Sequence, residues 1–283
     1  MERELAIEKS FEEKRHLYFT RLSLRLKEAM RLHKNDRLWE RNKEKGVRDW
    51  RNVSRHCLVG SARMEVLTEW LGLPEAVRNN AVIAYALHDA DKRLEVEAMK
   101  DEIKKGETGQ AAIQESFENH KKMIKKAGFN DQVISMLETY EDRPGQLFDF
   151  KKIIDKYTTP GELSDEDIGK LLIFYVDGIS IDDKDIEPSE LADNGKQVNV
   201  IERRMAALEM NPNYKKKNEE MAKTFSGHPF FEGKSYTEAV RDLLHLIEII
   251  LCKRINEKSD RTLDPVELPE VIESELDRRI NAL

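Results

Sequence analysis

The stretch NNAVIAYALHD, residues 79–89, is the one on which the fold turns. Ala81–Leu87 is the longest uninterrupted apolar run in the chain, far short of the roughly 20 residues that a membrane-spanning helix requires. A helix that is apolar almost all round after Asn80 belongs at the centre of a bundle, covered on every side. It runs directly into His88-Asp89, so a polar pair stands at its inner end.

Upstream, a helix is expected from about Asp49 to Trp70. In it His56 shares a face with Gly60, Met64, Leu67 and Leu71, at helical spacing, and therefore points inward. Gly72-Leu73-Pro74 stops that helix and starts the next, with Pro74 suited to a first-turn position. Further helical pieces are punctuated by Lys104-Lys105-Gly106 and Pro144-Gly145. Ser164 followed by Asp167 makes a capping-box-like start for DIGKLLIFYVDGIS. The polar stretch 181–200 is the candidate for a lid or insertion. Two more helices, around 235–257 and 266–282, complete the pattern. With only 13 Gly and 8 Pro and few alternating β-branched runs, the class is all-α.

Residues 3–45 form a charged amphipathic segment with Ile7, Phe11, Tyr18, Leu22, Leu26, Met30 and His33 near one stripe. The reading is an N-terminal helical arm, 1–48, packed on a core of 49–210, with a C-terminal helical extension, 211–283. An arm of this kind can also dimerise, so a homodimer is a second use for it. A net charge of -7, from 48 basic and 55 acidic side chains, offers no overall attraction to long nucleic acid or to a membrane surface. The N-terminus MERELAIEKSFEEKR has no apolar core of a secretory signal, and Cys57 and Cys252 form no disulfide framework. A cytoplasmic protein is expected.

Three apolar helices thus carry buried polar groups: His56, His88 with Asp89, and Asp177 after LLIFYV. Carboxylates at helix C-termini add formal negative charge to the negative end of the helix dipole, which is costly without a cation. A divalent metal would resolve all of it, and the mixed nitrogen and oxygen set suits Mn, Fe, Co, Ni or Zn. Adjacent side chains on a helix diverge by about 100°. His88 and Asp89 can therefore meet one ion only beyond the helix end, where the backbone can turn. Each residue alone has a blander reading, a satisfied core histidine or an Asp paired with Arg.

The segments SRHCLVGSARMEVL, AVIAYALHDADK and LLIFYVDGIS resemble the three hallmark pieces of the HD domain superfamily of metal-dependent phosphohydrolases. Order and rough spacing agree, with 32 residues from His56 to His88 and 88 from Asp89 to Asp177. The resemblance implies a compact multi-helix bundle in which His56, His88, Asp89 and Asp177 hold the metal and Asp89 takes part in catalysis. Lys92, in HDADK, stands where family members that cleave phosphodiesters or guanosine polyphosphates carry Lys. His120 resembles the histidine of a second metal in binuclear branches. The histidines expected after it are replaced by Tyr140-Glu141-Asp142, so Glu141 would have to complete that site, and one ion is favoured over two. Arg203 and Arg204 occupy a place where the family often turns an Arg toward substrate phosphate. The expected activity is phosphodiesterase or nucleotidase hydrolysis of a small phosphorylated substrate, a nucleotide or related metabolite. The alternatives are a non-catalytic HD module that binds a nucleotide or a partner, and an HD-fold di-iron oxygenase.

Overall fold

The computed structural model describes residues 24–38, 50–104, 110–138, 145–158, 163–180, 200–210 and 227–282, and contains helices and no strand among them. The all-α class read from the sequence holds. No described helix is long and apolar enough to cross a membrane.

The helices follow in order: α1 (Leu24–Asn35), α2 (Arg51–Trp70), α3 (Glu75–Leu87), α4 (Lys92–Lys104), α5 (Gln110–Lys126) and α6 (Asp131–Glu138). Then come α7 (Gln146–Thr158), α8 (Asp165–Ile179), α9 (Val200–Met210), α10 (Tyr236–Lys258), a 3-10 turn (Pro265–Glu267) and α11 (Leu268–Asn281). The expected lid at 181–200 lies outside the described residues save for Val200, the first of α9. Ile7, Phe11, Tyr18 and Leu22 of the amphipathic stripe lie outside them too, whereas Leu26, Met30 and His33 are buried on α1.

α3 is the axis of the bundle. Asn80 to Leu87 are all buried, and the helix packs against α1, α2, α6 and α8. α8 lies alongside and is itself covered by α10, α9, α7 and α6. The turn between α2 and α3 follows from Gly72, whose φ of +59° is the left-handed conformation that favours glycine. It lets Gly72 N–H donate to Glu69 O at 2.9 Å and Leu73 N–H to Thr68 O at 3.1 Å, closing the end of α2. Pro74 is extended, with φ −54° and ψ 144°, and stands one residue ahead of the first turn of α3 rather than in it. α8 begins with both halves of a capping box: Asp167 N–H donates to Ser164 Oγ at 3.0 Å, and Ser164 N–H to Asp167 Oδ2 at 3.4 Å.

His33 ties α1 to this centre. Its Nε2–H donates to Ala86 O at 2.7 Å, so its Nδ1 is the acceptor facing Ser54 Oγ at 3.1 Å. At the other end of the sequence, α11 packs on α2. One cluster of buried apolar side chains extends from Leu26 on α1 to Leu276 on α11.

Candidate metal centre

α2, α3 and α8 bring His56, His88 and Asp177 together, with one potential ligand atom from each within 4.8 Å of the others. His56 Nε2 is 2.9 Å from Asp177 Oδ1, and His88 Nε2 is 3.7 Å from the same oxygen. α3 ends at Leu87, and the chain turns over His88–Asp91, with Ala90 N–H donating to Leu87 O and Lys92 N–H to Asp89 O. That turn brings Asp89 Oδ2 to 3.6 Å from His88 Nε2, so Asp89 flanks the group formed by the other three residues named from the sequence.

The tautomer of His88 is set locally. Its Nδ1 lies 2.6 Å from Tyr85 O, one turn earlier, and a carbonyl can only accept, so Nδ1 carries the proton. Nε2 then faces Asp89 and Asp177, where it holds either a proton or, once that proton leaves, a lone pair for a cation. A lone pair facing two carboxylates is repelled unless a proton or a cation stands between them. This is the arrangement in which a histidine ligates a metal while its other nitrogen is anchored to the backbone. The His56, His88 and Asp177 group could hold a metal ion.

The electrostatics agree. Burial works to raise the pKa of Asp177, but hydrogen bonds from His56 and His88 and the charge of Arg204 hold it well below the carboxylate range. Burial likewise opposes ionisation of Asp89, and Lys92, His88 and His56 outweigh it, leaving the pKa lowered. Burial presses on His88 in the other direction, yet Cys57, Asp89 and Asp177 raise its pKa well above the ordinary value. Without a cation the two carboxylates therefore draw a proton onto the His88 imidazole beside them.

The remaining sequence candidates fall into two groups. Lys92 Nζ is 3.7 Å from Asp89 Oδ1 and 3.2 Å from Glu95 Oε1, at the edge of the centre. His120 is buried beside it: Nδ1 is 3.2 Å from Asp91 Oδ1, and Nε2 is buried with no hydrogen-bond partner. Asp91 accepts a second bond from Ser116 Oγ at 2.9 Å, which fixes the carboxylate that holds His120. Burial lowers the pKa of His120 despite Asp91 and Asp89. Arg204 is close enough to act on Asp177. Arg203 buries its Nε with no hydrogen-bond partner, and among the described residues no bond joins it to the ligands. Glu141 lies outside the described residues.

Sequence reading passed over Tyr85, Ser180 and Arg63. The Tyr85 hydroxyl is 3.3 Å from His56 Nε2 and 3.4 Å from Ser180 Oγ. Arg63 Nη1 donates to Ser180 Oγ at 2.7 Å. A usable signal existed in the spacing, since Tyr85 precedes His88 by one turn and Gly60 follows His56 by one turn. No family model, no curated protein and no solved structure matches this chain.

Proposed function

We propose that the chain is a metal-dependent phosphohydrolase that cleaves a phosphoester of a nucleotide or related phosphorylated metabolite. The orientation of His88 carries this reading. Its Nδ1–H is committed to Tyr85 O, so Nε2 is offered between Asp89 and Asp177, with His56 on the same Asp177 oxygen. Two imidazoles and two carboxylates form a donor set taken by Mn, Fe, Co, Ni or Zn. A divalent cation supplies, when bound, Lewis acidity toward a phosphoryl oxygen and toward an attacking water.

The chain's own side chains supply the rest. Asp89, its pKa lowered, is ionised at neutral pH and can accept a proton from the attacking water. Lys92 and Arg204 bring positive charge to the rim, where a phosphate needs it. His120, with Nδ1 turned to Asp91, keeps Nε2 for a substrate oxygen or for a second ion. One ion is favoured because the place where binuclear members carry further histidines after His120 reads Tyr140-Glu141-Asp142 here.

Metal content and turnover test the reading together. Wild-type protein should retain a transition metal and, with added Mn2+, hydrolyse bis(p-nitrophenyl) phosphate or p-nitrophenyl phosphate. Asp177→Asn should weaken Mn2+ binding on the order of 100-fold or more, since first-ligand losses exceed the 10–100-fold typical of outer partners. A wild-type chain that holds no transition metal and turns over neither ester with any of the five metals removes the reading.

A further inference from the structure

Tyr85 is fully buried on the central helix, yet its polar end lies among the ligands. Its ring centroid is 4.6 Å from that of His88 and 5.9 Å from that of His56. The ring fits only because residue 60 has no side chain. A Cβ there would lie 1.9 Å from Tyr85 Cε1, 2.2 Å from Cζ and 2.4 Å from the hydroxyl oxygen. α2 thus provides a notch, and the phenol passes through it to reach the centre. Apolar packing alone would be satisfied by Phe, whereas a buried hydroxyl needs a partner.

The proton on that hydroxyl can be assigned by elimination. Ser180 Oγ donates its only proton to Val176 O at 2.6 Å. Arg63 Nη1 donates to Ser180 Oγ at 2.7 Å, and a guanidinium accepts nothing. Ser180 can therefore offer Tyr85 only a lone pair, so Tyr85 is the donor in this group. Its acceptor in this group is Ser180 Oγ, at a long 3.4 Å, because His56 Nε2, 3.3 Å away, donates its own proton to Asp177 Oδ1 at 2.9 Å. Once His56 Nε2 serves as a ligand, its lone pair is occupied. The phenol proton then faces the centre with only the long Ser180 contact to satisfy it, and an anionic oxygen is a stronger acceptor.

We infer that the Tyr85 hydroxyl is a binding group of this site, donating a hydrogen bond to an oxygen of a phosphate seated at His56, His88 and Asp177. Gly60 makes room for it, and Arg63, acting through Ser180, is a positioning residue that keeps its proton directed inward. Arg63 is held from outside by an ion pair with Glu273 of α11. The inference rests on the metal-centre reading, but it assigns a residue and a direction of donation that the ligand set alone does not imply.

The experiment titrates Mn2+ into wild type and Tyr85→Phe, then titrates inorganic phosphate into each Mn2+-loaded protein. Tyr85→Phe should keep its Mn2+ affinity within about two-fold and bind phosphate roughly ten-fold more weakly, the scale of a lost hydrogen bond to a charged group. Arg63→Met should keep Mn2+ affinity and weaken phosphate by roughly three-fold, the smaller effect of loosening a network rather than deleting the donor. Arg63→Lys should recover part of that loss. Equal phosphate affinity in wild type and Tyr85→Phe, with Mn2+ bound by both, overturns the Tyr85 assignment and leaves the metal centre intact. Loss of Mn2+ affinity in Tyr85→Phe also overturns it, because the phenol would then support the ligands rather than the anion. If Tyr85→Phe does not fold, Arg63→Met decides: an unchanged phosphate affinity there refutes the inference. Wild type that binds no Mn2+ fails at the earlier step and overturns the metal reading itself.

Discussion

His33 is neutral in the folded chain because burial has pushed its pKa down to about 4, and both ring nitrogens are already engaged by Ala86 and Ser54. Its unfolded value is near 6.5, so the unfolded chain takes up a proton first. Stability from this residue is intact above pH 6.5 and is lost as pH falls toward 4, by about 2 kcal/mol at pH 5. Asp36 works in the opposite sense. Burial raises its pKa to about 6, so its ionisation weakens the fold as pH rises through that value, and acid relieves the cost. Between pH 7 and 5 the two largely offset one another. Urea unfolding at both values should therefore separate them: His33→Gln should lose about 2 kcal/mol less than wild type over that interval, and Asp36→Asn about 1 kcal/mol more. Parallel curves for the three proteins would refute the assignment. At this scale the sequence was informative about what is buried. It put His33 on the apolar stripe of its helix and His88 at the inner end of the central one, and both are buried, whereas His56, Asp89 and Asp177, also expected to be buried, are only partly so. It could not assign the tautomer of His88 or the partner of Asp91, because both depend on side chains that meet only after folding.

Helices α2 and α3 are matched at a close approach of Gly60 to the ring of Tyr85. Replacing Gly60 with Ala forces a Cβ into that ring, and neither backbone can retreat without disturbing a ligand. The expected cost is about 2–3 kcal/mol, the upper part of the range for overpacked cores, together with weakened Mn2+ binding through displacement of His56 or His88. Chemical denaturation and Mn2+ titration check it. Gly60→Ala as stable as wild type would mean that the helices slide freely, and the notch would lose its meaning. Element boundaries were mostly legible: the Ser164–Asp167 cap, the Gly72 stop and the two late helices all follow local rules of few residues. The Gly60–Tyr85 contact was not, although both residues lie in stretches that carry the candidate ligands. It depends on the relative register of two helices, which no spacing within either one encodes.

The candidate centre joins helices far apart in the chain, since its three ligand atoms come from α2, from the end of α3 and from α8. An ion that binds only the folded chain stabilises it by mass action, about 2.7 kcal/mol at one hundred times its dissociation constant. For a chain of this size that amounts to a rise of roughly 4–5 °C in Tm. Calorimetry with Mn2+ and then with excess EDTA should show the rise and its reversal, and Asp177→Asn should show neither. A Tm indifferent to Mn2+ in wild type would argue against any ion at these residues. The all-α class could be read at this scale from sparse Gly and Pro and from helical periodicity, while the division into arm, core and extension rests on sequence reading alone.

The order in which the ligands emerge during synthesis follows from the same arrangement. His56 and Asp177 are 121 residues apart. At roughly 5–20 residues per second, a ribosome needs about 6–24 s to deliver the second after the first. For that interval α3, buried all round from Asn80 in the finished fold, has α1, α2 and then α6 to lie against but neither α8 nor the α10 that covers it. The nascent chain is therefore a natural client for a holding chaperone until α8 appears, and ion capture waits until α8 has been made.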